Sequence, residues 1–416
     1  MKKLKLLIVS QYFWPENFKI NDLAFHFAEL GYNVNVLTGI PNYPTGKYFD
    51  GYGIFSKKNQ KKKNVLINRV FVVPRGKSSR IKLILNYLSY ILSASITVLF
   101  LKNKYDLIFI YEPSPITVAI PAIILKKISH IPIIFWVTDL WPESVNATIK
   151  MNRFSRKLIG SIINPMVKWI YKESDKILVT SKGFVNSIKN KIKEKDKIEF
   201  FPQWAEPIFK PIKRNNHLLP ALDKNSFKIM FAGNIGEAQD FPSILKAAKV
   251  LASNNNIQWI ILGNGRKEDW VNNKIKEYGL DNCFHMLGSY PIEKMPLFYA
   301  SADAMLFSLK DEYIFSITIP AKVQSYLACG KPILAMVNGE ASKIIQESNA
   351  GFVCKSGDSD GLAKNVISMS RLSNEALKLL GSNSLKCYRK NFDRKMLFKR
   401  AEEIFHEIIN KKNKIK

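Results

Sequence analysis

Short apolar runs alternate with segments of helical period from the amino terminus onward. "KLKLLIVSQYF" reads as a strand, residues 21–30 place apolar side chains at helical spacing up to Gly31, and "NVNVLTG" is the next strand. "LIFIY" (107–111), "IPIIFWVTD" (131–139) and "KILVTS" (176–181) follow, each with a helix-like segment behind it. Repetition of this kind predicts a parallel, doubly wound sheet. The pattern lapses over 201–226, a stretch rich in proline and polar residues, as linkers are. It then restarts with "FKIMFAGNIG", a helix from Pro242, the strand "IQWIILGNG" and, further on, "AMLFSL". The expected fold class is α/β: two Rossmann-like, doubly wound domains at 1–200 and 201–390. A basic amphipathic helix in 391–416 is expected to pack back on the first. Two such domains make a cleft, and ligands sit at the carboxyl ends of the strands.

One segment stands outside the alternation. "LILNYLSYILSASITVLFL", residues 83–101, carries no charge and is flanked by Arg80, Lys82, Lys102 and Lys104. Its length matches a membrane span, although Asn86 and its hydroxyl residues lower the hydropathy. It also fits a helix buried within the domain, or one lying on an anionic membrane surface by an exposed apolar face. Charge bears on this choice. The chain carries a net +29, of which +19 falls in residues 1–200. A field of one sign steers anionic partners: nucleic acid, anionic lipid or a lipid-linked diphosphate. General enrichment in Asn, Lys and Ile accounts for part of the excess. The four cysteines are scattered without a CxxC pair, which fits reduced thiols in a cytosolic protein. The first ten residues lead into aromatic and charged positions instead of a small-residue cleavage site.

Candidate chemistry concentrates in the second half. In "DEYIFSITIPAKVQSYLACGKPIL" (311–334) a short turn precedes a helix that carries Lys322 near its start and stops at Gly330. A helix N-terminus offers unpaired N–H groups and a positive dipole end, so phosphate is the natural ligand. "FAGNIG" places Gly233 and Gly236 at a strand end, and "LGNGR" does the same with Gly263 and Gly265 beside Arg266. Missing side chains there let backbone N–H groups approach a phosphate. In the first half, Asp139 ends an apolar strand in "TDLWPES", where it serves either an acceptor hydroxyl or a helix N-cap.

Together these stretches resemble the GT-B glycosyltransferases, specifically glycosyltransferase family 4. The similarity extends over "VSQYFWPENFKINDLAFHFAELGYNVNVLTGIPNYPTG", "EPSPI" (112–116), "TDLWPES", "FAGNIGEAQDF" and "IPAKVQSYLACGKPILA". These look like the branch that builds O-antigen and capsule repeat units, which includes transferases of N-acetyl-L-fucosamine and related amino sugars. The resemblance implies a retaining transferase with no metal and no cofactor beyond its nucleotide-diphosphate sugar, of the UDP type. It implies a donor held by the carboxyl domain and a polyprenyl-diphosphate-linked acceptor held by the amino domain, at the cytoplasmic face of the membrane. Donor contacts are then expected from the glycines above and from Asn234, Gln239, Arg266, Phe315, Ser316, Thr318, Lys322, Ser325 and Glu340. Acceptor contacts are expected from Glu16, Asn17, Lys19 and Asn21, with Asp139 catalytic.

Two departures from the family pattern matter. The paired glutamates that touch donor sugar and ribose fall here on Ile317 and Ser325; Ser325 can still hydrogen-bond a hydroxyl, and Glu312 or Glu340 is left to supply an acid nearby. The basic pair that follows the first glycine of the carboxyl domain falls on Asn234 and Gln239, leaving Arg266 and Lys322 to meet the diphosphate. Two rival classes are a basic nucleic-acid-binding α/β protein and a nucleotide-sugar epimerase. The first lacks a recognition helix or an aromatic platform motif, so nucleic acid is not expected as a partner. The second would need a His and carboxylate cluster that five scattered histidines do not provide.

Overall fold

In the computed structural model, residues 3–76, 79–102, 104–148, 153–213, 219, 225–254 and 256–415 are described. Residues 214–218 and 220–224 of the expected linker, and Lys416 of the expected tail helix, lie outside them. Contacts divide the chain into two units, residues 1–201 with 398–416, and residues 202–397.

The first unit contains β1 (Lys5–Val9), β2 (Asn33–Gly39), β3 (Asn59–Lys62), β4 (Val65–Val70), β5 (Leu107–Glu112), β6 (Ile133–Val137), β7 (Lys176–Val179) and β8 (Ile198–Phe200). They lie in the order β3-β4-β2-β1-β5-β6-β7-β8, parallel throughout apart from the antiparallel β3–β4 edge pair. β1, β5 and β6 are buried along nearly their whole length, which is why they read as continuous apolar runs without alternation. In the helix Arg394–Ile415, Phe398 and Phe405 pack on Phe27, with Phe405 also against Phe109.

The second unit contains β9 (Phe227–Ala232), β10 (Ile257–Leu262), β11 (Phe284–Gly288), β12 (Ala304–Ser308), β13 (Ile333–Met336) and β14 (Gly351–Cys354). Their order, β11-β10-β9-β12-β13-β14, is parallel and follows the doubly wound 3-2-1-4-5-6 scheme. Its core runs from Phe231, Trp259 and Leu306 in the strands to Ile244, Val271 and Val366 in the covering helices. In both units the winding direction reverses beside the first strand, at β1/β5 and at β9/β12. Such switch points open a crevice at the strand ends.

The uncharged segment is a helix, Arg80–Leu99, capped by the Ser79 hydroxyl on the Lys82 N–H. Its polarity is inverted relative to an ordinary surface helix. Asn86, Tyr90, Ala94 and Val98 are buried, and Asn86 is tied to Gln11 and to the Val73 carbonyl. The face turned to solvent is apolar: Ile81, Ile84, Leu85, Leu88, Leu92, Ile96 and Leu99 are all exposed, Ile81 to 72%.

Candidate active site

Strand register explains how distant residues meet. In the second unit Ala232 of β9 pairs with Leu262 of β10, so the loops opening at Gly233 and Gly263 lie side by side. Phe231 pairs with Leu306 of β12, which brings Ser308 to the same end, and the Ser308 hydroxyl bonds to the Gln239 carbonyl. Lys322, on the helix Ala321–Ala328, reaches into this end. Its ammonium stands 4.1 Å from the centre of the Phe231 ring, and a methyl group added at Gly233 would meet Nζ at 2.6 Å. Gly233 has φ +139, and its bareness is the space that Lys322 occupies. Burial, with no carboxylate partner among the described residues, lowers the Lys322 pKa to about 7.

The glycine loops do a different task from the one expected of them. The N–H groups of Gly233, Ile235, Gly236 and Gly263 donate to Leu262 O, Asn264 O, Gln239 Oε1 and Gly288 O. Gly263 and Gly265 press against the backbones of Gly233 and Ile235, where any Cβ would collide. Their absent side chains therefore serve backbone-on-backbone packing that holds the loop under Lys322, and these amides are spent before any phosphate arrives. Asn234 is exposed, and its amide lies 3.4 Å from Gln239 Oε1. Next to them Glu237 holds Lys267 and Lys310 at 2.6 and 3.0 Å, so two cations gather at the loop rim. Arg266 is exposed in the same loop.

The segment 311–320 sits against the start of the helix Glu340–Glu347, because a side chain at Gly339 would strike the Ser316 carbonyl. Phe315 is half-buried there. The hydroxyls of Ser316 and Thr318 bond back to Tyr313 O and Ile314 O. Ser325 is buried, with its hydroxyl 3.4 Å from Ala321 O in its own helix. Glu340 lies at a helix N-terminus beside Lys343 at 3.4 Å. The two acids weighed in place of the family glutamates both lie beyond strand ends: Glu312 is exposed after β12, and Glu340 follows β13.

The first unit gathers acids and aromatics. Register pairs Glu112 of β5 with Val137 of β6, two residues before Asp139. The Asp139 N–H donates to Glu112 Oε2 at 3.3 Å, and Trp141 Nε1 donates to Asp139 Oδ2 at 3.3 Å and to Ser114 Oγ at 3.2 Å. Glu112 is fully buried, and its Oε1 has no hydrogen-bond partner among the described residues. Burial and, behind it, the Asp139 charge push the Glu112 pKa well up. Burial also raises Asp139, against hydrogen bonds from Ser144, Ser114 and Trp141. Both carboxyls are therefore held toward the protonated form, as buried acids beside a like charge are. Glu112 was legible as an acid ending an apolar strand in "EPSPI", yet nothing in the sequence showed its neighbour.

The expected acceptor residues divide. The Glu16 carboxylate is buried and accepts from the N–H groups of Asn42, Tyr43 and Phe13 at 2.8, 2.7 and 3.3 Å; burial raises its pKa to about 7. Asn21 accepts from Trp14 N and donates to Glu16 O. Both bind their own loops, a role that loop polarity alone cannot distinguish from ligand contact. Asn17 is exposed and Lys19 half-buried. Arg75, Tyr12, Tyr43 and Tyr87 fill the same strand ends, and the sequence did not single them out.

The amino-terminal unit matches the family Glycosyltransferase Family 4 over residues 20–205, and residues 213–384 match Glycosyl transferases group 1. The glycosyltransferase WbjE of Pseudomonas aeruginosa, named as a probable one, is 26% identical over 55% of this chain and 57% of its own length. WcaI of Escherichia coli strain K12, whose name assigns it to colanic acid biosynthesis, is 21% identical over 79% of this chain and 82% of its own. The match to the first of these relatives spans little more than half of it. HepE from Anabaena, solved with UDP and glucose, superimposes with a TM-score of 0.68 at 12% identity, over 97% of this chain and 99% of that one. The fold is GT-B. The two family matches together run from residue 20 to residue 384, so most of the chain is similar to glycosyltransferases of group 1 and family 4, with WbjE and WcaI among its relatives.

Proposed function

We propose that the protein is a retaining glycosyltransferase. It moves an N-acetylated amino or deoxyamino sugar from a UDP-sugar to a polyprenyl-diphosphate-linked saccharide during assembly of a surface polysaccharide. The reaction takes place at the cytoplasmic face of the membrane, to which the protein is bound peripherally. The observation that carries this reading is the outward apolar stripe of the helix Arg80–Leu99, in the same unit as the Glu112–Asp139 pair. Between Asp50 and Asp106 the chain has twelve Lys/Arg and no carboxylate, so the stripe lies in a basic setting suited to anionic lipid.

In the reaction the anomeric carbon–oxygen bond to the donor diphosphate breaks, and its electrons leave on the phosphate. Lys322 meets that charge, gaining a proton when the diphosphate binds, and the Lys267/Lys310 rim adds long-range attraction. The acceptor hydroxyl forms the new bond on the face the phosphate leaves, and its proton passes to the phosphate or to Asp139. The raised pKa of Asp139 suits it to the second route. HepE's complexes with UDP and UDP-glucose support the donor class.

The test is transfer from a panel of UDP-sugars to native membrane lipid extract, with the product's anomeric configuration read by NMR. A lipid-extractable product with retained configuration is expected, and Asp139→Asn should lower turnover about 10²- to 10⁴-fold with UDP affinity intact. Transfer only to water-soluble acceptors would sink the lipid-linked reading.

A further inference from the structure

Arg75 lies five residues beyond β4 and is half-buried. Its backbone N–H donates to Asn42 Oδ1 at 3.1 Å, its guanidinium stands 4.9 Å from the centre of the Tyr43 ring, and Nη1 is 3.4 Å from the Tyr12 hydroxyl. No carboxylate among the described residues comes within ion-pair distance of it. Glu16, nearby in the same loops, has its oxygens committed to three backbone amides. A guanidinium offers five N–H donors and keeps its proton, so one long contact to a phenol leaves most of its fork unspent. The planar fork of a half-buried guanidinium with unpaired N–H groups matches phosphate oxygens two at a time.

What lies on either side of Arg75 narrows the anion. Tyr87, whose phenol feels the Arg75 charge, hydrogen-bonds with Ser114, which in turn bonds to Trp141 beside Asp139. Tyr87 belongs to the helix Arg80–Leu99, and the next residue, Leu88, opens outward in the apolar stripe. Acid, guanidinium and apolar stripe therefore follow one another along a single unit. We propose that Arg75 is the anchor for the diphosphate of a lipid-linked acceptor, with the saccharide toward Asp139 and the isoprenoid along Leu88 and Leu92. This rests on the lipid-linked reading above.

Binding of farnesyl diphosphate, farnesol and inorganic pyrophosphate to the full chain, with UDP saturating to occupy the donor site, tests it. Wild type is expected to bind farnesyl diphosphate more tightly than either of the others. Arg75→Gln should lose at least about tenfold for farnesyl diphosphate and nothing for farnesol, with Arg75→Lys in between. Unchanged melting temperature and UDP affinity certify the folded variants. A diphosphate preference that survives in both variants overturns the Arg75 assignment and leaves the lipid-linked reading standing. A wild type that does not distinguish farnesyl diphosphate from farnesol overturns both. Pyrophosphate binding as tightly as farnesyl diphosphate overturns the lipid component.

Discussion

At the scale of residues, the proposed donor binding depends most on Lys322. Its pKa near 7 means that the native state holds fewer protons than the unfolded chain between pH 7 and about 10.5. Stability from this group therefore rises with pH across that window. On the proposed function donor binding runs the other way, because a diphosphate favours the charged amine. The UDP dissociation constant is expected to rise toward about tenfold per pH unit above 7, a slope that Lys322→Met should remove; calorimetric titration from pH 7 to 9 reads both. Lys322→Ala should cost about 2–4 kcal/mol in kcat/KM. Glu112 gives a second linkage. Its raised pKa means the native state retains a proton that the unfolded chain releases above about 4.5, so stability falls as pH rises. Glu112→Gln imitates the protonated acid. Melting curves from pH 5 to 8 should show a shallower decline than wild type, and an unchanged slope would mean Glu112 is ionised in the native state.

At the scale of elements, the helix Arg80–Leu99 separates stability from location. Its polar residues face the protein and its leucines face outward, so the outward positions contribute little to folding. Leu88→Glu with Leu92→Glu should shift the melting temperature by no more than a degree or two, since exposed positions usually change stability within about 0.5 kcal/mol. The same change should abolish flotation with vesicles of phosphatidylglycerol. Flotation equal to wild type would place the contact elsewhere. The helix Ala321–Ala328 shows the opposite economy, with Ser325 turned inward on its own backbone while Lys322 reaches the loop at Gly233 and the Tyr326 hydroxyl bonds to Ala232 beside it.

At the scale of the whole molecule, the end of the chain completes the first unit. Phe405 is fully buried, 4.9 Å from the Phe27 ring and 5.7 Å from Phe109, and Arg400 forks onto Glu199 at 2.7 and 3.0 Å. Phe405→Ala should cost about 3–5 kcal/mol, as truncation of a buried phenylalanine does. Differential scanning calorimetry should show a lowered transition for the unit holding residues 1–201, while UDP affinity, which the proposed function assigns to residues 202–397, should stay at the wild-type value.

Sequence determined much of this protein because its strongest signals are local. Buried parallel strands must be apolar throughout, so "LIFIY" and "FKIMFA" declared themselves, and the repetition around them defined the doubly wound class. Glycine at Gly233, Gly263 and Gly265 marked tight places without saying whether a ligand or another backbone filled them; tertiary packing put backbone or Lys322 there. The uncharged helix was equally ambiguous, since composition counts residues and cannot say which face meets the sheet. Asn86 bonded to Gln11 decided that. The acid pair needed register: Glu112 and Asp139 are 27 residues apart, and only the pairing of β5 with β6 brings Asp139 N–H to the Glu112 carboxylate. Lys322 could be named from its place at a helix start, but its lowered pKa came from what the folded chain packs around it, and solvation is set by tertiary neighbours that no local pattern encodes.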